Sequence, residues 1–456
     1  MEHPLLQTAA VYTFAPWEHA LAVLRITGPL KAAGFELVRG NQGLEIHPEQ
    51  VSPAGLVVMQ RDFAFGGAAY EQVLAQAQAQ RKPVILDLDD LLLELPENHP
   101  DRGQQYLEST FLPVLRAILE ADAVTASTQP LCEYLARLNP RTWLLPNYLN
   151  DTLWRLRPPR PPDTHQGPVI IGYMGGASHL PDLESVLPAL EAVLQKYGPG
   201  VRLCFWGLQP PPALAGRPNV ECIPLNLVNY ADFAATFQEQ ACDIFIAPLV
   251  DQLFNRCKSA IKFLEYSALG VPGVYSRISP YAGIIEQGVN GFLASTTDEW
   301  KDSLAQLIEN PTLRYQTGRQ AQQTVRQNWL LSQHTHEWVQ VYAHISAAGK
   351  EPAPKEGISR PALLQLLHQL TELHGGLAAA LAEEEGAARR LAARLAEQER
   401  QYQAVADRLS SYEGSLAWGL VERFRKIGRK LAPPGSRLEK ALQSSRWNSP
   451  DKHAND

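Results

Sequence analysis

APLVDQLFNRCKSAIKFLEYSALGVPGVYS, residues 247–276, reads as a buried strand, a polar loop, a short helix, a turn and a second buried strand. Ser259 is placed to start the helix, and Gly270 followed by Pro272 to stop it. Ile261, Leu264 and Ala268 recur at helical spacing and supply a core face. Lys258, Lys262 and Glu265 stand at i, i+4 and i+7, so they share another face. Two ammonium groups and a carboxylate then line a helix at the carboxyl end of a strand, where open α/β sheets bind ligands. The lysines suit a diphosphate and the carboxylate a pair of sugar hydroxyls. A surface ion-pair ladder has the same spacing, so the neighbouring sequence must decide between them.

Outward from this stretch, strands and helices alternate in both directions. VYTFA (11–15), FELVR (35–39), GLVVMQ (55–60), VILDL (84–88), AVTAS (123–127) and TWLLPN (142–147) read as strands, with helices at 20–34, 69–80, 109–121 and 130–138 between them. After the proline-rich RLRPPRPPDTHQGP a second series begins. Its strands are VIIGYMG (169–175), VRLCFWG (201–207), VECIPL (220–225), DIFIAPL (243–249), VPGVYS (271–276) and GFLAS (291–295). Further helices are expected at 182–198, 231–241, 298–309, 312–329 and 332–346. Such alternation predicts two doubly wound, Rossmann-like α/β domains, residues 1–156 and 169–348, joined by a linker at 157–168 and facing a cleft.

The C-terminal hundred residues have a different character. A polar linker at 349–361 leads to a stripe of Leu363, Leu366, Leu370, Leu373, Leu377 and Leu381 that resumes at Leu391, Leu395, Tyr402, Val405, Leu409 and Tyr412. It predicts a coiled-coil-like helix over 362–412, able to pair with a second copy of the chain. Residues 413–443 combine an apolar stripe (Trp418, Val421, Phe424, Ile427, Leu431) with Arg423, Arg425, Lys426, Arg429 and Lys430. Such a segment either lies on an anionic membrane surface or docks on the protein body. Residues 444–456 read as a disordered tail.

The net charge of −7 argues against a global nucleic-acid role. Five scattered cysteines without a CxxC pair fit reduced thiols rather than a disulfide or zinc framework. The N-terminus carries acid where a signal peptide needs base, and no run approaches the ~20 apolar residues of a membrane span. A cytoplasmic protein is expected, with the basic segment able to hold it on the inner face of the membrane.

Three further features carry chemistry. Gly175 and Gly176 follow a strand and precede a helix, so their amides can approach a phosphate, with Ser178 and His179 in the same loop; a plain tight turn is the alternative. Asp87, Asp89 and Asp90 end the strand VILDL, with His99 nearby. They suit acid/base work, a divalent metal with nucleotide phosphates, or capping. Trp17, His19 and Arg25 lie between the first strand and its helix and could face the cleft from the acceptor side.

Taken together, KFLEYSALGVPGVYS with the following GVNGFLA resembles the donor-binding region of GT-B-fold glycosyltransferases, in particular the large retaining group called family 4. IGYMGGASHLPDL resembles that family's phosphate loop; AVTASTQPLCEYL and LLPNYLN resemble the end of its first domain. The resemblance covers about residues 8–345. It implies that Glu265 binds the nucleotide ribose, that Lys258 and Lys262 meet the donor diphosphate, and that Gly175 and Gly176 form the phosphate loop. Residues 332–346 would cross back to the first domain. Three features depart from the family, the first being that no basic residue follows the phosphate loop before Lys196. Cys257 stands where a sugar-contacting glutamate is common, which leaves that contact to Asp251 or Asn255. Asp89 or Asp90 stands in for a histidine facing the reaction centre.

The expected activity is sugar transfer from a nucleotide-diphosphate sugar to a glycan or lipid-linked acceptor hydroxyl, with retention, in cell-surface polysaccharide or glycolipid synthesis. Asp89, Asp90, Lys258 and Lys262 are the expected catalytic groups. No cofactor and no metal are expected, because the lysines take the metal's role. A sugar-nucleotide epimerase on the same fold and a non-catalytic coiled-coil scaffold are the alternatives.

Overall fold

The computed structural model describes residues 8–348 except 104, 165–166 and 226–228, residues 383–407 except 385, and Arg437. The linker 349–361, the tail 444–456, and nearly all of the basic segment 413–443 lie outside the described residues, as do eight of the twelve residues of the 362–412 stripe. Residues 386–407 form one helix carrying Leu391, Leu395, Tyr402 and Val405.

The first lobe runs β1 (Thr8–Tyr12), α1 (Ala20–Ala22), α2 (Gly28–Ala32), β2 (Glu36–Arg39), a small hairpin of β3 (Asn41–Gln42) and β4 (Glu45–Ile46), β5 (Leu56–Gln60), α3 (Ala68–Ala79), β6 (Val84–Leu88), α4 (Leu112–Glu120), β7 (Ala123–Ala126), α5 (Gln129–Ala136) and β8 (Thr142–Leu144). Its six-stranded sheet is parallel throughout, in the order β2-β1-β5-β6-β7-β8. Every residue of β5 and β6 is buried, which explains why those segments are unbroken apolar runs rather than alternating ones.

The second lobe runs β9 (Val169–Met174), α6 (Leu180–Ser185), α7 (Leu187–Tyr197), β10 (Val201–Trp206), β11 (Val220–Ile223), α8 (Tyr230–Gln238), β12 (Ile244–Ala247), α9 (Leu253–Arg256), α10 (Ile261–Ala268), β13 (Gly273–Ser276), β14 (Phe292–Ala294), α11 (Thr297–Glu309) and α12 (Pro311–Asn328). Its sheet is also parallel, in the order β11-β10-β9-β12-β13-β14. The next helix, α13 (Leu331–Ala348), returns to the first lobe, where Trp338, Tyr342 and Ile345 join the core of Val11, Ile26 and Leu30. This is the doubly wound two-domain architecture that the alternating pattern predicts.

Prolines interrupt three helices that the periodicity reads as regular and continuous. Between α1 and α2 the chain takes a wide π-type turn, Val23–Thr27, closed by Gly28 N–H on the Val23 carbonyl. Pro29 has no N–H to continue the regular ladder, so the preceding turn widens. The same turn, Leu107–Phe111, precedes Pro113. Pro188 likewise separates α6 from α7 at Val186. The expected linker is docked rather than free: Arg157 N–H donates to the Ala268 carbonyl, and Gln322 Nε2 donates to the Arg157 carbonyl (2.8 and 2.6 Å). That docking requires a glycine at 270. Its φ is +69°, and a β-carbon there would lie 2.7 Å from Pro159 N.

The wide turn carries Arg25 into the first lobe, and this corrects the reading that Arg25 faces the cleft. Its guanidinium donates to Asp87 Oδ2 (3.1 Å) and Oδ1 (2.8 Å), to the Leu145 carbonyl (2.6 Å) and to Asn147 Oδ1 (2.9 Å), and it is 1% exposed. Thr125 Oγ1 adds a donor to Asp87 (2.7 Å). The pair is a strut through the carboxyl end of the first sheet. Arg25→Ala leaves a buried carboxylate uncompensated and should destabilise the chain by about 3–5 kcal/mol in chemical denaturation. A loss under about 1 kcal/mol would contradict the strut.

Candidate active site

A cavity of about 410 Å³ opens at the carboxyl ends of β9 and β10, beside the point where strand order reverses between β9 and β12. Gly175 and Gly176 line it from the turn after β9, Tyr230 and Phe233 from α8, and Ile261, Lys262 and Glu265 from α10. His19, Ala20 and Leu24 of the first lobe face them. The lobes meet at its edge, where Tyr230 N–H donates to the Glu18 carbonyl (2.7 Å). Of the three residues expected from the acceptor side, His19 alone lines the cavity. Trp17 is engaged by Arg39 and Lys31, 4.8 and 5.7 Å from its ring.

Helix α10 starts one residue later than the sequence suggests. Ser259 is not its cap: Ala260 occupies that position without a side-chain bond, and Ser259 Oγ instead accepts from Asn147 Nδ2 of the first lobe (3.0 Å). The helical spacing nevertheless delivers Lys262 and Glu265 to one wall. Glu265 is buried and accepts from the Tyr230 hydroxyl (2.7 Å), which in turn accepts from Trp154 Nε1 (3.1 Å). Burial pushes its carboxyl up to about 7, against the lowering effect of the Tyr230 bond. Lys262 Nζ reaches His179 Nε2 (3.4 Å) and lies 5.8 Å from the Tyr173 ring. Burial, reinforced by the Lys258 charge, lowers its ammonium to about 8. His179 Nδ1 bonds Asp182 Oδ2 (2.8 Å), and burial beside Lys262 lowers the imidazole to about 4.

The two glycines differ. Gly175 N–H is spent on the Trp206 carbonyl (3.1 Å), so the expected phosphate contact from this amide is corrected: what Gly175 provides is room. A β-carbon there would lie 2.5 Å from the Tyr173 hydroxyl. Gly176 faces open space, with nothing within 4 Å of the β-carbon position. Ser178 is half-buried in the same turn and is not among the lining residues.

Lys258 is placed differently from Lys262. Its ammonium stands 3.6 Å from Asp90 Oδ1 of the first lobe and 4.5 Å from the Phe254 ring, with His99 packed edge-on against Phe254. Arg61 bridges Asp90 (2.8 Å) and Asp89 (3.1 Å). Lys258 and Arg61 hold the Asp90 carboxyl well below its usual range, whereas burial raises Asp89 to about 6. The structure thus brings Asp89, Asp90 and Lys258 into one cross-cleft cluster. Asp87 is consumed by Arg25 and Thr125, so the Asp87–Asp89 pair does not form a metal site. Among the described residues, no group of three His, Cys, Asp or Glu side chains is arranged to hold a metal ion.

The substitutes expected at the sugar end do not meet there. Asp251 is exposed and bonded to Arg256 (2.6 Å), outside the cavity lining. Asn255 is buried and donates to Asp182 Oδ1 (2.8 Å) and the Val250 carbonyl (3.0 Å). Cys257 is buried in the first lobe's core, its carbonyl accepting from Thr128 Oγ1 (2.7 Å). Sequence reasoning missed Asp182, Tyr230 and Trp154. The His179–Asp182 spacing of three residues on a helix start was a usable signal; nothing in the sequence ties Tyr230 or Trp154 to Glu265.

Residues 168–310 match the family described as glycosyl transferases group 1. No curated protein matches the chain. Among solved structures, HepE of Anabaena in complex with UDP and glucose superposes with a TM-score of 0.51 at 15% identity, over 74% of this chain and 99% of that one. Sucrose-phosphate synthase of Thermosynechococcus elongatus does so with a TM-score of 0.51 at 14% identity, over 75% of this chain and 99% of that one. At these identities the likeness is one of fold.

A carboxyl raised by burial opposes folding once it ionises. In the unfolded chain Glu265 titrates near 4.5 and in the folded chain near 7, so stability falls as pH rises through that window. Glu265→Gln keeps an acceptor for Tyr230 and removes the charge. It should therefore be more stable than the native chain at pH 8, by on the order of 1–3 kcal/mol, and about equal at pH 4.5. Equal thermal unfolding at both pH values would contradict the burial of this carboxylate.

Proposed function

We propose that this chain, a glycosyltransferase of the GT-B fold whose second lobe carries a glycosyl transferases group 1 domain, takes a sugar from a nucleoside diphosphate sugar and joins it to an acceptor hydroxyl. The observation that carries this reading is the wall of α10. There Lys262 and Glu265, one helical turn apart, line one cavity together with Gly176. The ammonium meets the diphosphate and the carboxylate accepts from ribose hydroxyls. The apolar side of the same cavity, with Tyr230 and Phe233, takes the base.

The reaction breaks the bond from the anomeric carbon to the diphosphate and forms one to the acceptor oxygen, whose proton passes to an oxygen of the departing diphosphate. The electron pair leaves on the diphosphate. Lys262 stabilises that growing charge from a half-buried position, where the interaction is stronger than in open solvent. Lys258 stands on Asp90 across the cleft, next to where an acceptor would enter. Charge from Lys262 replaces a metal at the diphosphate, so activity should survive EDTA.

The acceptor class, a glycan or lipid-linked hydroxyl in cell-surface polysaccharide or glycolipid synthesis, and retention of configuration follow from the family resemblance. The segment 413–443 would bring the chain to anionic lipid, and the stripe 362–412 would pair it with a second copy. Flotation with anionic liposomes should be strong for the full chain and lost for a chain ending at Ala348; equal flotation of both would remove the membrane role.

UDP-, ADP- and GDP-sugars are the donors to test. Lys262→Ala should lower kcat/KM for the donor by on the order of 10²-fold, as loss of a buried charge partner does. In the native enzyme kcat/KM should rise as Glu265 ionises near pH 7 and fall as Lys262 loses its proton near pH 8. In Lys262→Arg the alkaline limb should vanish, because guanidinium does not titrate there. An unchanged alkaline limb would exclude Lys262 as the diphosphate's cation.

A further inference from the structure

His179 and Asp182 are not accounted for by nucleotide binding through α10, yet they are built into the site with care. Asp182 is buried and uses both oxygens. Oδ1 accepts from Val250 N–H and from Asn255 Nδ2, each at 2.8 Å, and Oδ2 bonds His179 Nδ1 at 2.8 Å. An ionised carboxylate can only accept, so His179 Nδ1 carries the hydrogen and Nε2 carries a lone pair. That lone pair is the atom facing Lys262 Nζ. It is also the hydrogen-bond partner the structure gives that ammonium among the described residues.

We propose that His179 is a positioning residue for Lys262. Asp182 locks its imidazole in the Nδ1–H tautomer, and its Nε2 accepts a hydrogen bond from one ammonium N–H so that the other two N–H bonds point at the leaving diphosphate. This rests on the reading of Lys262 as the diphosphate's cation. A neutral imidazole is the right group for the task, since a protonated one would set a second cation against the lysine. Its burial beside Lys262, which lowers its proton affinity, agrees with this.

Asp182→Asn gives a specific test. The two donors at Oδ1, Val250 N–H and Asn255 Nδ2, hold the asparagine oxygen on their side, so its NH₂ group turns to His179. The imidazole must then accept at Nδ1 and carry its hydrogen on Nε2, pointing a donor at the ammonium. His179→Ala removes the acceptor without reversing anything, and His179→Gln can restore one.

Two measurements decide the matter. The first is the ¹⁵N spectrum of histidine at pH 7, with His179→Ala used to assign the resonance. The native chain should show the Nδ1–H form and Asp182→Asn the Nε2–H form. The second is affinity for UDP, ADP and GDP against the matching nucleosides. Asp182→Asn and His179→Ala should each weaken binding of the preferred diphosphate by on the order of tenfold and leave nucleoside binding within about twofold. His179→Gln should recover part of the loss. In the His179→Ala background Asp182→Asn should cost nothing further. An Nε2–H tautomer in the native chain, or additive losses in the double variant, would overturn the proposal and leave the parent reading intact. If the native chain bound none of the three diphosphates, that reading would fall and this proposal with it.

Discussion

A half-buried lysine ammonium, with a neutral imidazole as its hydrogen-bond partner, is the interaction on which the site turns. An ammonium deprived of water needs acceptors, and Lys262 has only part of its need met by His179. The remainder is an invitation to an anion. Everything close to it can be understood as making that invitation specific: glycines that leave room, a buried carboxylate three residues on for hydroxyl groups, and a largely apolar cavity for a flat base.

The cost of this arrangement is spread through the scaffold. Glu265 is kept next to a hydroxyl that itself answers an indole N–H, so a buried carboxyl near neutrality has a defined partner whichever state it is in. The Arg25–Asp87 strut fixes the carboxyl end of the first sheet, and Asn147 extends it to Ser259, at the threshold of α10. The lobes also touch through Lys258 and Asp90 and through Thr128 and the Cys257 carbonyl. Cys257, which replaces an acidic residue common in the resembling family, is thus used to seat one lobe in the core of the other.

Much of this was legible in the sequence and some was not. Buried parallel strands announce themselves as apolar runs, and helical spacing alone puts Lys262 and Glu265 on one face. Prolines 29, 113 and 188 could have warned of the wide turns and the helix break, since each lacks the N–H its position calls for. What sequence could not disclose were partnerships between distant segments. Asp251 and Asn255 look alike as polar loop residues, yet one is tied to Arg256 in solvent and the other is buried on Asp182. Gly175 and Gly176 are adjacent, yet the sheet claims the amide of the first.

The central claim is that Lys262 and Glu265 grip opposite ends of one bound nucleotide. A crystal structure of the chain soaked with its preferred nucleoside diphosphate tests this most directly. The account predicts a phosphate oxygen within about 3 Å of Lys262 Nζ and a ribose hydroxyl within about 3 Å of a Glu265 carboxylate oxygen, hydrogen-bonding distance in each case. A diphosphate seated elsewhere in the cleft, with Lys262 still held by His179 alone, would contradict it.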